Sequence, residues 1–172
     1  EFEFAFLLDA LQEERDQGIT IDTTQIFFKT KKRKYVFVDA PGHKEFIKNM
    51  ITGAASADIA VLIVDVSEGI KEQTKKHSYI LKLLGIDRVI VLFNKMDKIA
   101  FSQKIFSSIH KDLKDFLDKI NIKITSEIPI SAKNGDNIFH KSLNMSWYMS
   151  DTLCDVLDKF NYDDSSNRDF LR

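Results

Sequence analysis

The run Tyr35-Val36-Phe37-Val38-Asp39-Ala40-Pro41-Gly42-His43 constrains this chain more than any other stretch. A short apolar run with β-branched residues ends in an acid, a Pro-Gly turn follows, and helix-forming residues begin behind it. A continuous apolar run of this kind reads as a buried strand, and open α/β sheets bind their ligands beyond the carboxyl ends of such strands. Asp39 stands at that end. Gly42 has no Cβ, so a backbone N–H there comes within hydrogen-bonding distance of an anion. Alone, Asp-x-x-Gly describes any turn after a buried strand; its company decides what it means.

Two more apolar runs end in polar signatures: Val89 to Phe93 leads into Asn94-Lys95-Met96-Asp97, and Ile124 to Ile130 leads into Ser131-Ala132-Lys133. Around them, helical periodicity and strand-like runs alternate. Phe4 to Arg15 reads as an amphipathic helix, and Thr23 to Thr30 as a strand. The basic turn Lys31-Lys32-Arg33-Lys34, most simply a solvated turn, joins that strand to the run ending at Asp39. A helix is expected over Lys44 to Ala57, a strand over Ile59 to Val64, and a loop over Ser67 to Gly69. Gln73 to Leu84 reads as a helix closed by Gly85. The helix from Gln103 to Ile120 is expected to turn Ile105, Phe106, Ile109, Leu113, Phe116, Leu117 and Ile120 inward, and Thr152 to Phe160 forms the last helix. Such alternation indicates an α/β fold with a mostly parallel sheet covered on both faces.

A chain of 172 residues with 44% hydrophobic residues has room for one domain with a sizeable core. The formal charge of −1 gives no global basic field that would announce nucleic acid or anionic lipid. The single cysteine, Cys154, excludes an internal disulfide and fits a reducing, cytoplasmic setting as a packed helix residue. The longest apolar run is too short to cross a bilayer.

With Gly18-Ile19-Thr20-Ile21 upstream, Asp39 to Gly42, Asn94 to Asp97 and Ser131 to Lys133 occur in an order that resembles the translation-factor class of GTPases. The resemblance implies a three-layer α/β/α P-loop NTPase domain that binds GTP or GDP with Mg²⁺. It implies that Asp97 accepts from the guanine N1–H and amine, that Asn94 braces the loop and base edge, and that Lys95 lays its stem along the ring. Ser131, Ala132 and Lys133 would complete the base site, with backbone N–H groups near Ala132 meeting the guanine oxygen. Thr20 would bind Mg²⁺ directly and Asp39 through a water, Gly42 would contact the terminal phosphate, and His43 would orient the attacking water. His77, His110 and His140 have no comparable context and are expected at the surface or in packing.

The phosphate-cradling pattern Gly-x-x-x-x-Gly-Lys-[Ser/Thr] is absent from this sequence. In the family it follows a central first strand, so residues 1–160 are expected to be a GTPase domain incomplete at its N-terminus, weak in nucleotide binding by itself. Omitting that strand is expected to leave two inner sheet edges unpaired. Residues 161–172 are expected to be a linker towards a β-barrel domain not included here.

Within the class, Leu8 to Asp22, Gln73 to Ser78, Leu83 to Ile86, Gly135 to Ile138 and Met145 to Tyr148 most resemble the GTPase (large) subunit of bacterial sulfate adenylyltransferase. That implies coupling of GTP hydrolysis to formation of adenosine 5′-phosphosulfate from ATP and sulfate. The implied partner is an ATP-using small subunit, in a heterodimer or higher assembly, with neither membrane nor nucleic acid. Ser146 and Ser150-Asp151-Thr152 depart from the family's Met-Pro-Trp-Tyr and Gly-Pro-Thr. Two alternatives stay open: an elongation factor acting on aminoacyl-tRNA and the ribosome, and a non-catalytic interaction module built on a degenerate GTPase.

Overall fold

The computed structural model describes residues 23–30, 32–40, 51 and 57–160. Its centre is strand β4 (Arg88–Asn94), whose residues Val89, Ile90, Val91, Leu92 and Phe93 are all buried. It runs parallel to β3 (Ala60–Asp65) on one side and to β5 (Lys123–Pro129) on the other. Side chains alternate across a strand, so β4 feeds two cores at once. Val89, Val91 and Phe93 join Leu62 and Val64 of β3 in a cluster closed by Leu81 of helix α1 (Glu72–Leu83) and by Leu113 and Leu117 of helix α2 (Gln103–Lys119). Ile90 and Leu92 join Ile128, Ile130 and, from helix α3 (Leu153–Lys159), Leu153 and Leu157. Helices on both faces of a parallel sheet make the expected three-layer α/β/α arrangement. Burying each such side chain contributes about 1.5–3 kcal/mol before chain entropy is subtracted.

Strands β1 (Thr24–Lys29) and β2 (Lys34–Asp39) form a separate antiparallel pair in which Phe27 faces Val36 and Phe28 faces Tyr35. Here the sequence expectation needs adjusting. The apolar run before Asp39 is not buried on both faces: Val36 is 49% and Phe27 73% exposed, while Phe28, Tyr35 and Phe37 turn towards the second core cluster. Phe28 stacks on Tyr35 and Phe37 with ring centroids 4.9 and 4.8 Å apart. The Thr30 and Tyr35 hydroxyls both donate to Asp158 Oδ1 on α3, at 2.7 and 2.6 Å. From the basic turn, the Arg33 guanidinium donates to the Phe160 carbonyl, so part of that turn is structural. Among the described residues β2 and β3 pair with strands on one edge only.

The helix ends follow local rules. Gly85 takes φ +75°, its N–H reaching the Lys82 carbonyl and the Ile86 N–H that of Leu81, a Schellman closure of α1. Ser102 caps α2 by accepting from the Ile105 N–H. Thr152 and Asp155 make a reciprocal capping box on α3. Of the inward set expected on α2, Ile105 is 42% exposed. At about 100° per residue it lies on the margin of the stripe centred near Leu113, one turn before that stripe is covered. The expected helix Phe4 to Arg15 and the segment from Asn161 onward lie outside the described residues, as does the expected helix Lys44 to Ala57 apart from Ile51, which is helical, and Ala57, which is not.

Candidate functional site

Three parallel strands deliver their carboxyl ends side by side, and that is where a parallel sheet offers a ligand exposed loop chemistry. β3 ends in Asp65, β4 in Asn94, and β5 runs through Pro129 into Ile130 and Ser131. The register sets Asp65 directly opposite Asn94. Backbone bonds lock the ends together: Val66 N–H to the Asn94 carbonyl at 3.0 Å, Ile130 N–H to Phe93 at 2.8 Å, and Met96 N–H to Ile130 at 3.1 Å.

Asn94 is the tie between the two loops. Its Oδ1 accepts from the Lys95 N–H at 2.7 Å and from the Ala132 N–H at 3.0 Å. Lys95 then takes a left-handed conformation (φ 67°, ψ 35°), unusual for a residue with a Cβ, and opens a 3₁₀ turn over Met96–Ile99. Met96 is fully buried and anchors that turn. Ala100 and Phe101 are also left-handed, and the Trp147 indole N–H donates to the Phe101 carbonyl at 3.1 Å. Three strained residues around one carboxylate mark a conformation maintained by its surroundings. That carboxylate is Asp97, whose Oδ1 accepts from the buried Ser131 hydroxyl at 2.6 Å. A carboxylate fixed through one oxygen keeps acceptor capacity for donors approaching in the plane of a ring.

The loop after β5 folds back on itself. The Ser131 carbonyl accepts from the N–H groups of Asn134, Gly135 and Asp136, and Gly135 supplies the φ of +79° this turn demands. Asn137, only 1% exposed, donates from Nδ2 to the Pro129 carbonyl and accepts at Oδ1 from the Ser142 N–H, both at 2.8 Å. Met145 is buried, Trp147 packs on Phe106, and the Tyr148 hydroxyl reaches the carbonyls of Asp151 and Glu127. Burial, then the neighbouring acids Asp151 and Glu127, raise the Tyr148 pKa to about 12. The Met-Ser-Trp-Tyr segment thus braces the loops from behind.

Asn94, Lys95, Asp97, Ser131 and Ala132 are therefore brought together, and Lys133 follows them on the exposed side of the loop. Backbone N–H groups near Ala132 are expected to meet a ligand oxygen; that of Ala132 itself is donated to Asn94. Asp39 stands exposed at the end of β2, in the other sheet. Thr20, Gly42 and His43 lie outside the described residues. Among the described residues no group of three or more His, Cys, Asp or Glu side chains is placed to hold a metal. A Mg²⁺ that takes one or two carboxylates and otherwise phosphate and water needs no such group, and Asp39 fits that sparse ligation.

Asp65 was not foreseen. Burial would raise its pKa, but the Lys95 ammonium at 2.6 Å and the Ser67 hydroxyl and N–H hold it at about 2. The available signal was its position, an acid closing an apolar strand next to the one that ends in Asn94. His110 meets the expectation of packing: it stacks on Phe106, with Nε2 2.5 Å from Glu127 Oε2. Burial pushes the Cys154 thiol up, with Asp158 and Asp155 adding to it, which suits a packed rather than a reactive cysteine. Among the described residues no helix is long and apolar enough to cross a membrane.

The family model for the elongation factor Tu GTP binding domain matches residues 2–161. The sulfate adenylyltransferase subunit 1 of Aliarcobacter butzleri is 45% identical over 165 residues, 95% of this chain and 35% of that protein. Elongation factor 1-alpha of Thermococcus gammatolerans is 45% identical over 158 residues, 92% of this chain and 37% of that protein. Among solved structures, a bacterial selenocysteine-specific elongation factor superposes with a TM-score of 0.71 at 29% identity, covering 90% of this chain and 25% of that one. The chain thus spans about a third of the length of these curated relatives.

Proposed function

Because this chain belongs to the family of elongation factor Tu GTP binding domains, we propose that the loops after β4 and β5 read the guanine of GTP or GDP. The observation that carries this is the joint locking of the two loops: Asn94 Oδ1 on the Lys95 and Ala132 N–H groups, and the Ser131 hydroxyl on Asp97. In this reading Asp97 accepts from the guanine N1–H and amine, a donor pair that adenine lacks. Asn94 holds the base edge, Lys95 lies along the ring, and Ser131, Ala132 and Lys133 line the far side. At the other end of the nucleotide, Gly42 contacts the terminal phosphate and His43 orients the water for hydrolysis. Thr20 and Asp39 hold Mg²⁺, which neutralises phosphate charge when bound. Loss of the terminal phosphate releases the segments around Thr20 and Gly42, making hydrolysis a switch.

For the whole protein we infer the GTPase subunit of a sulfate adenylyltransferase, in which GTP hydrolysis drives formation of adenosine 5′-phosphosulfate by an ATP-using small subunit in the cytoplasm. The relatives named for that enzyme and the segments Gly135 to Ile138 and Met145 to Tyr148 support it. The elongation-factor reading is the second, because a relative so named is equally similar. Measuring GTP turnover by the full-length protein separates them. Stimulation by the small subunit with ATP and sulfate, and none by ribosomes, is the expected result; the reverse pattern overturns the sulfate reading.

A further inference from the structure

We propose that Asp65 is a positioning residue for guanine-nucleotide binding: it holds the Lys95 ammonium so that the lysine stem is already laid out where the base docks. The inference rests on the base-site reading above and adds to it a residue on a different strand. The parallel register of β3 and β4 sets Asp65 opposite Asn94, which puts its carboxylate beside the residue that follows. Oδ2 lies 2.6 Å from Lys95 Nζ. Oδ1 accepts from the Ser67 N–H at 2.8 Å and the Ser67 hydroxyl at 2.6 Å, and the Asp65 carbonyl accepts from Glu68 and Gly69. Both carboxylate oxygens are thereby fixed, so the anchor for Lys95 does not rotate away.

Lys95 is held at both ends as well. Its N–H is bonded to Asn94, its carbonyl accepts from Lys98, and its left-handed backbone would relax without such partners. Its side chain is 45% exposed while that of Asp65 is 19% exposed, so the ion pair ties the ammonium and still leaves part of the lysine side chain open to a ligand. A lysine stem in water samples many rotamers, and restricting them before the nucleotide arrives removes part of the entropy that binding would otherwise cost. The neighbouring acid raises the Lys95 pKa and Asp65 is itself strongly acidic, so the pair stays ionised at neutral pH.

The test is titration of the full-length protein with a fluorescent GDP analogue in five variants. Asp65→Asn keeps the size of the side chain and removes the charge; it is expected to weaken binding roughly 2- to 5-fold, in the range of a partly exposed ion pair. Asp65→Glu is expected to recover most of the loss. In a Lys95→Met background, Asp65→Asn is expected to add nothing, because the group it positions is gone. An Asp65 that only shaped the Ser67 turn would instead cost the same in both backgrounds, and that result, or no loss at all from Asp65→Asn, overturns the proposal. Lys95→Met reaches the same pair from the other side, so misfolding of one variant leaves the question decidable. Asp97→Asn is the control for the underlying site. If it moves preference from guanine to xanthine while Asp65→Asn is silent, only the positioning role falls. If it leaves guanine preference intact, the base site falls and the positioning role with it.

Discussion

β4 and β2 both carry an apolar run to a polar site residue, yet they are held in different ways. β4 is buried on both faces and paired on both edges, and Asn94 at its end is locked by two hydrogen bonds. β2 is paired with β1 alone among the described residues, buries one face, and ends in an exposed Asp39. Its hairpin is fastened by a three-ring stack and by two hydroxyls on Asp158. The loops proposed to read the base therefore inherit their geometry from a double core, whereas the strand leading to Asp39 depends on one apolar face and a few polar ties.

Removing a ring from each region should expose that difference most strongly. Phe93→Ala, in the fully buried cluster with Phe106 edge-on at 5.0 Å, is expected to lower stability by about 3–5 kcal/mol in chemical denaturation. Asn94→Ala comes next. It strips the acceptor from two N–H groups at once and is expected to cost about 1–3 kcal/mol of stability, together with nucleotide affinity.

The hairpin ties should respond to pH at both ends. Hydrogen bonds from Tyr35 and Thr30 lower the Asp158 pKa, so their contribution is complete above the ordinary carboxylate range and fades as pH falls through the lowered value. Burial, with the Asp158 bond, raises the Tyr35 pKa to about 12; that contribution is complete below pH about 10 and fades as pH rises through about 12. Tyr35→Phe should flatten the alkaline arm of a pH–stability profile and leave Phe93 environment spectra unchanged. Phe27→Ala, at a position 73% exposed, should do least, within about 0.5 kcal/mol. A loss there as large as that of Phe93→Ala would erase the contrast between the two regions.

The central strand and its loops were legible because Val89 to Phe93 can be buried only in one kind of sheet, and Asn94 and Asp97 follow it at a fixed offset. The same reasoning over-buried the run before Asp39: Tyr35, Val36, Phe37 and Val38 look alike as letters, and only the pairing with β1 decides which of them face the core. Asp65 stayed hidden because its partner is neighbouring in space through strand register and 30 positions away in sequence. Trp147 stands in a segment the sequence singles out, but its contact stayed hidden for a related reason, since its indole N–H reaches a carbonyl 46 residues back. Short-range patterns carry elements and motif ends; contacts between loops depend on which strands become neighbours.

Competition between GTP and xanthosine triphosphate in the full-length protein carrying Asp97→Asn tests the account at its centre. With Ser131 still able to hold one side of residue 97, the introduced amide can donate to the xanthine oxygen where the carboxylate accepted from the guanine amine. Preference should swing towards xanthine by on the order of 10²-fold or more, as expected for a site built on buried hydrogen-bond recognition. An unchanged preference for guanine would mean that Asn94 to Asp97 is a structural turn and that the loops after β4 and β5 do not read the base.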